Sequence, residues 1–123
     1  MFENDYILRQ IEMMTGFLAK LIFGKESPEY ELLFDGEENP LGEGELALKL
    51  RRMIELGEIN EAENLLFDSI ESEQKPEYLE IAIDFYDRLS KLDEAKLDRC
   101  DFCLAEVLEG LENVKKIYGI ETA

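Results

Sequence analysis

The 123-residue chain contains no histidine. Without imidazole it lacks the commonest general base at neutral pH and the commonest transition-metal ligand, which excludes Ser-His triads, zincin motifs and helical Glu-x-x-His di-metal sites. Basic residues are scarce as well: 13 Lys+Arg stand against 30 Asp+Glu, a formal charge of −17. Nucleic-acid binding requires a basic stripe that displaces counterions from phosphates, so nucleic acid is excluded as a partner. Anionic membrane surfaces are disfavoured on the same ground. No apolar run approaches the roughly 18–20 residues of a membrane span. Cysteine is confined to Cys100 and Cys103, and the opening Met1-Phe2-Glu3-Asn4-Asp5 is acidic where a secretory or transit leader is basic. A cytoplasmic, reduced protein without cofactor is the expectation.

What is present argues for a folded chain. Apolar residues make up 46% of the sequence, with seven Phe and five Tyr, far from the aromatic-poor composition of disordered acidic tails. The length corresponds to one domain, residues 1–123. Over 4–23, Ile7, Ile11, Met14, Leu18 and Leu21 recur at helical spacing and predict an amphipathic helix. Tyr6, Met13, Phe17 and Ile22 widen its apolar face, so this helix requires partners on more than one side. Residues 26–45 differ in character. They hold Glu26, Glu29, Glu31, Asp35, Glu37, Glu38, Glu43 and Glu45 and no base, and so carry −8 of the −17 net charge. Ser27-Pro28 can open a short helix there, and Asp35 to Gly42 reads as a turn-rich acidic connector.

An internal echo follows within 43–118. Leu56-Gly57-Glu58-Ile59-Asn60-Glu61-Ala62 is matched 33 positions later by Leu89-Ser90-Lys91-Leu92-Asp93-Glu94-Ala95. Amphipathic helices flank each copy, with Asn60 and Asp93 placed as helix caps, so the unit is a helical hairpin. The period and the Gly57-to-Ala62 turn resemble a degenerate tetratricopeptide repeat, with Leu50 and Ile83 at the small-residue position of the first helix and Ser90 in place of the second turn glycine. Separately, Met1 to Ile11 and Phe17 to Lys25 resemble a family of short uncharacterised proteins from Firmicute bacteria, classed as a domain of unknown function. That resemblance implies a bacterial cytoplasmic origin and a helical fold, and no activity. Finally, Leu97, Cys100, Leu104, Val107, Leu111, Val114 and Tyr118 alternate at spacings of three and four, which predicts one long terminal helix. The expected fold is all-α, with five or six helices: tetratricopeptide-like hairpins flanked by apolar N- and C-terminal helices.

Chemistry-bearing patterns are few. Cys100-x-x-Cys103 lacks the two further Cys or His ligands of a zinc site and reads as two buried small residues. Residues 35–46 fail the calcium-loop template, since Pro40 occupies the turn-glycine position and Leu46 the bidentate-acid position. Asp84 with Asp87, and Asp98 with Asp101, share helix faces as surface charge does. Arg51 and Arg52 are placed to pair with Glu55 along one helix.

Two functions rank ahead of a third, a metal-dependent enzyme or metal buffer using carboxylates alone. In the first, the chain is a non-enzymatic interaction module whose groove, lined by Ala47, Arg51, Ile54, Glu80, Asp84, Asp87 and Arg88, accepts a protein or peptide partner, basic in character given the net charge. In the second, Ile7, Ile11, Met14, Leu18 and Leu21 form the face of a homodimer.

Overall fold

The computed structural model describes residues 2–23 and 44–120. These form six helices: α1 (Phe2–Phe23), α2 (Gly44–Glu55), α3 (Ile59–Ser72), α4 (Pro76–Ser90), α5 (Glu94–Arg99) and α6 (Leu104–Tyr118). Among the described residues there is no strand, and the all-α expectation holds with the higher helix count. No helix among them is long and apolar enough to cross a membrane. The acidic connector lies outside the described residues, apart from Gly44 and Glu45 at the start of α2.

The architecture is organised around α4. This helix packs against α1, α2, α3 and α6, while α1 packs against both α4 and α6. Its sequence explains the central position: Leu79, Ile81, Ala82, Ile83, Phe85, Tyr86 and Leu89 are buried and point to every side, the pattern of a helix enclosed on all faces. The other helices bury one stripe each, such as Ile59, Ala62, Leu66 and Ile70 of α3 and Leu104, Val107, Leu111 and Val114 of α6. Pro76 starts α4 at a position that has no helical acceptor for its missing N–H, and Lys75 before it is extended. The hydroxyl of Tyr118, near the end of α6, donates to the Lys75 carbonyl at 2.6 Å, fixing α6 antiparallel to α4.

Among the described residues, three turns end with a residue of positive φ: Gly57 (φ 82°), Asp101 (φ 58°) and Gly119 (φ 67°). Each closes by the same pair of backbone bonds. Glu58 N–H reaches Met53 O at 2.9 Å and Gly57 N–H reaches Ile54 O at 3.0 Å; Phe102 reaches Leu97 and Asp101 reaches Asp98, both at 3.0 Å; Ile120 reaches Lys115 at 2.9 Å and Gly119 reaches Lys116 at 3.2 Å. This arrangement satisfies the last carbonyls of a helix. At Asp101 it interrupts the single terminal helix expected from the spacing of Leu97 to Tyr118. Aspartate is one of the few non-glycine residues that tolerates the left-handed region, and burial of Phe102 at 3% and Leu97 at 1% exposure supplies the apolar contact that locks the turn. The expected capping pair is half realised. Asp93 Oδ1 accepts from Ala95 N–H at 2.8 Å, whereas Asn60 lies inside α3 and its Nδ2 donates instead to the Asp101 carbonyl at 3.2 Å. Asn60 thus ties the first hairpin to the break between α5 and α6.

Gly110 faces α4 where Tyr86 crosses α6. A Cβ at this position would land on the Tyr86 ring and hydroxyl, so the helices approach this closely because Gly110 has no side chain. Gly110→Ala is therefore expected to cost about 2–4 kcal/mol through overpacking and disturbance of the Tyr86 hydrogen bond. Gly119→Ala meets no atom within 4 Å and is expected to cost only the left-handed backbone penalty, about 1–2 kcal/mol. Urea unfolding of both variants checks the contrast.

Candidate functional site

Enclosing α4 places two of its acids at the junction with α2. Asp84 is 4% exposed, and a carboxylate so buried requires charged or hydrogen-bonding partners. It has two: Arg51 Nε of α2 at 3.2 Å from Oδ2, and Arg88 Nε, one turn along α4, at 2.7 Å from Oδ1. Arg51 therefore bonds across the helix interface to Asp84, a contact that intrahelical spacing to Glu55 did not anticipate. One turn further, Lys91 Nζ holds Asp87 Oδ2 at 2.9 Å.

Above this network lies a pocket of about 310 Å³, walled by Arg51, Ile54, Glu55, Arg88, Lys91, Leu92 and Lys96. Helix α2 supplies Arg51, Ile54 and Glu55, the end of α4 supplies Arg88, and the Asp93-capped turn into α5 brings Lys91, Leu92 and Lys96 over the opening. Four of the 13 bases of the chain meet here. Ile54 and Leu92 are its apolar walls.

Of the seven residues expected to line a groove, Arg51, Ile54 and Arg88 line this pocket. Asp87 is half-buried beside it, paired to Lys91. The other three are corrections. Ala47 at 1%, Glu80 at 5% and Asp84 at 4% exposure are interior, because α2 and α4 pack directly on one another over that stretch rather than leaving a channel. The pocket residues absent from the expectation are Glu55 of α2 and, from the turn after α4 and from α5, Lys91, Leu92 and Lys96; these last three are what close the pocket. Asp93 as a cap is the signal that could have found them, since a helix starting there folds back over the end of α4.

The face of α1 is also corrected. Ile11 and Leu18 are fully buried, and Ile7 and Met14 are half-buried against the core, so four of the five residues expected on a dimer face serve the internal core. Leu21 alone of that set is exposed, at 59%, and shares the outer surface with Tyr6 at 64%, Met13 at 65% and Phe17 at 41%. Two apolar stripes run along this helix, and α4 with α6 occupies only one.

Two further features have defined chemistry. Between α3 and α6, Glu63, Glu106 and Glu109 surround a cleft of about 230 Å³ with Asn64 and Asn113. The buried Tyr86 hydroxyl donates to Glu63 Oε2 at 2.6 Å. Burial raises the Glu63 carboxyl above its ordinary 4.5, partly offset by that hydrogen bond and reinforced by Glu106 and Glu109. Burial likewise raises the Tyr86 phenol, and the bond to Glu63 adds to the shift. Among the described residues no three His, Cys, Asp or Glu converge as metal ligands. Cys100 is half-buried and Cys103 exposed, so the expectation of two buried thiols fails at Cys103. There the helix break turns the side chain outward, its thiol 3.5 Å from Glu106 Oε1.

Glu80 is buried with Oε2 lacking any hydrogen-bond partner. Burial, with Glu77 nearby, raises its carboxyl above 4.5. A group whose folded-state pKa exceeds its unfolded value binds more protons when folded, so its contribution to stability is complete below about pH 4.5 and is lost as pH rises. Glu80→Gln and Glu63→Gln are each expected to gain on the parent chain as pH rises from about 5 to 8. Urea midpoints measured across that range check the sign, and parallel lines for parent and variants would refute it.

A family model described as a family of unknown function (DUF6483) matches residues 1–119. No curated protein and no solved structure matches the chain.

Proposed function

The chain belongs to this family of unknown function, DUF6483, and we propose that it is a non-enzymatic protein–protein interaction module of a bacterial cytoplasmic protein. On this reading α2–α3 is a degenerate tetratricopeptide-like hairpin. A second starts with α4 and has its return helix broken into α5 and α6. The observation that supports the reading is the pocket at the α2, α4 and α5 junction, where Arg51, Ile54 and Arg88 from the expected groove meet around an apolar and cationic concavity. Such grooves between stacked hairpins bind extended peptide segments.

Photo-crosslinking tests it. A photoreactive side chain at Leu92, in the pocket, is expected to give discrete protein adducts in bacterial cells. Adding Lys96→Glu should abolish them, and the same group at Glu71, on the exposed face of α3, should not reproduce them. Identical adducts from both positions, or adducts indifferent to Lys96, count against a groove.

A second reading, self-association, is supported by Tyr6, Met13, Phe17 and Leu21, which form an exposed apolar stripe on α1. A second copy is the occupant that suits it. Helix α1 carries three acids and two bases, so this is a surface on which two copies of charge −17 can meet with little local repulsion. Light scattering is expected to show a dimer of the 14.3 kDa chain that Phe17→Glu converts to monomer. A monomer for the parent chain at high concentration ends this reading.

A further inference from the structure

The pocket at the junction of α2, α4 and α5 has a lining and an orientation of donors that suit a particular anion. Arg51, Arg88, Lys91 and Lys96 line it against Glu55 alone. Asp84 engages both arginines and Asp87 engages Lys91, which leaves the outer edge of Arg88 and Lys96 as the donors for a ligand. In a molecule of net charge −17, a di- or trianion such as a phosphate ester is opposed by the field of the whole chain more strongly than a monoanion is.

The donors point the same way. Arg88 is anchored to Asp84 through Nε and has no other partner among the described residues, so its Nη1 and Nη2 edge is unengaged. Two parallel N–H groups on a fixed guanidinium are the fork that receives a carboxylate in bidentate fashion. The guanidinium is preorganised because Asp84 is buried and cannot leave it. Lys96 of α5 is half-buried in the same lining and forms no ion pair among the described residues, so a second charge-assisted donor is available. Ile54 and Leu92 add apolar surface to that lining, and about 310 Å³ is room for a terminal residue with an aliphatic side chain, not for a folded surface.

We propose that this pocket binds the free C-terminal carboxylate of a peptide ending in an aliphatic residue, with Arg88 and Lys96 on the carboxylate and Ile54 and Leu92 on the side chain. The proposal deepens the interaction-module reading and rests on it. It also reverses the sign of the partner inferred from net charge alone. The overall acidity repels polyanions, but the binding site itself is complementary to a single negative charge.

The test is an NMR titration of the isotopically labelled 123-residue chain with an acetylated hexapeptide ending in Leu-Leu, as free acid and as C-terminal amide. The free acid is expected to shift the amides of Ile54, Arg88, Leu92 and Lys96, and the amide to bind about tenfold or more weakly, as loss of a charge-assisted bond requires. Lys96→Gln, at a half-exposed position where folding is not at stake, should reproduce a weakening of several-fold for the acid and none for the amide. Equal affinity for acid and amide, or no shift at millimolar peptide, overturns the proposal. Acetyl-leucine binding as tightly as the hexapeptide overturns the peptide and makes the ligand a small carboxylic acid. Pocket-dependent crosslinks from Leu92 without acid-over-amide preference would leave the interaction module standing and this ligand assignment refuted.

Discussion

The enclosure of α4 is the constraint from which the other features follow. Packed on α1, α2, α3 and α6, helix α4 has no side along residues 79–86 on which a polar residue meets water freely, yet its sequence includes Glu80, Asp84 and Tyr86 among the buried positions. Burying an unpaired charge costs several kcal/mol, and an unpaired hydroxyl costs about 1–3. Each therefore dictates something to a neighbouring helix. Tyr86 requires an acceptor and receives Glu63 of α3; its ring requires space and receives Gly110 of α6. Asp84 requires cations and receives Arg51 of α2 and Arg88. Only Glu80 is left with an unpartnered oxygen, and burial holds its proton more tightly.

The same constraint creates the site. Arginines drawn to Asp84 are fixed by a buried anchor at one end and face a concavity at the other, a geometry that exposed pairs do not achieve because their partners move with them. The distribution of charge supports this. Much of the net charge is concentrated in residues 26–45, which hold eight acids and no base, while a third of the bases gather where α2, α4 and α5 meet. Net charge thus describes long-range repulsion of the molecule and not the preference of its pocket.

Much of the fold was legible because it follows from spacing. The extent of the first helix, the helical hairpins and the Asp93 cap came from periodicity and cap chemistry, which are local. Two kinds of feature were not. Periodicity records that two stripes of α1 are apolar but not which of them α4 and α6 will cover, so Ile11 and Leu18 were placed on an outer face that Tyr6 and Met13 in fact occupy. Periodicity is equally blind to the sign of φ: Leu97, Cys100 and Leu104 keep heptad spacing straight through a turn in which Asp101 is left-handed. A glycine there would have signalled the break, as Gly57 did for the turn of the first hairpin. For the groove, the residues chosen on α2 and α4 were on the facing surfaces, but direct helix contact sealed the N-terminal part and left only the end beside α5 open.

The break at Asp101 joins fold and site. An uninterrupted helix from Glu94 to Tyr118 would extend about 37 Å at 1.5 Å per residue and would commit every residue to one axis. That axis is fixed by two contacts on α4, Gly110 at Tyr86 and Tyr118 at Lys75, spaced so that α6 runs antiparallel to it. Continued backwards as a helix along the same line, residues 94–99 would pass beyond the end of α4. The left-handed residue releases α5 from that axis, Phe102 and Leu97 seal the turn, and Asn60 of α3 holds its carbonyl. Lys96 then lines the same pocket as Arg51 and Arg88. One aspartate conformation thereby satisfies the packing of α6 on the central helix and closes the cationic wall of the pocket, so a substitution that straightened the turn would be felt at both places.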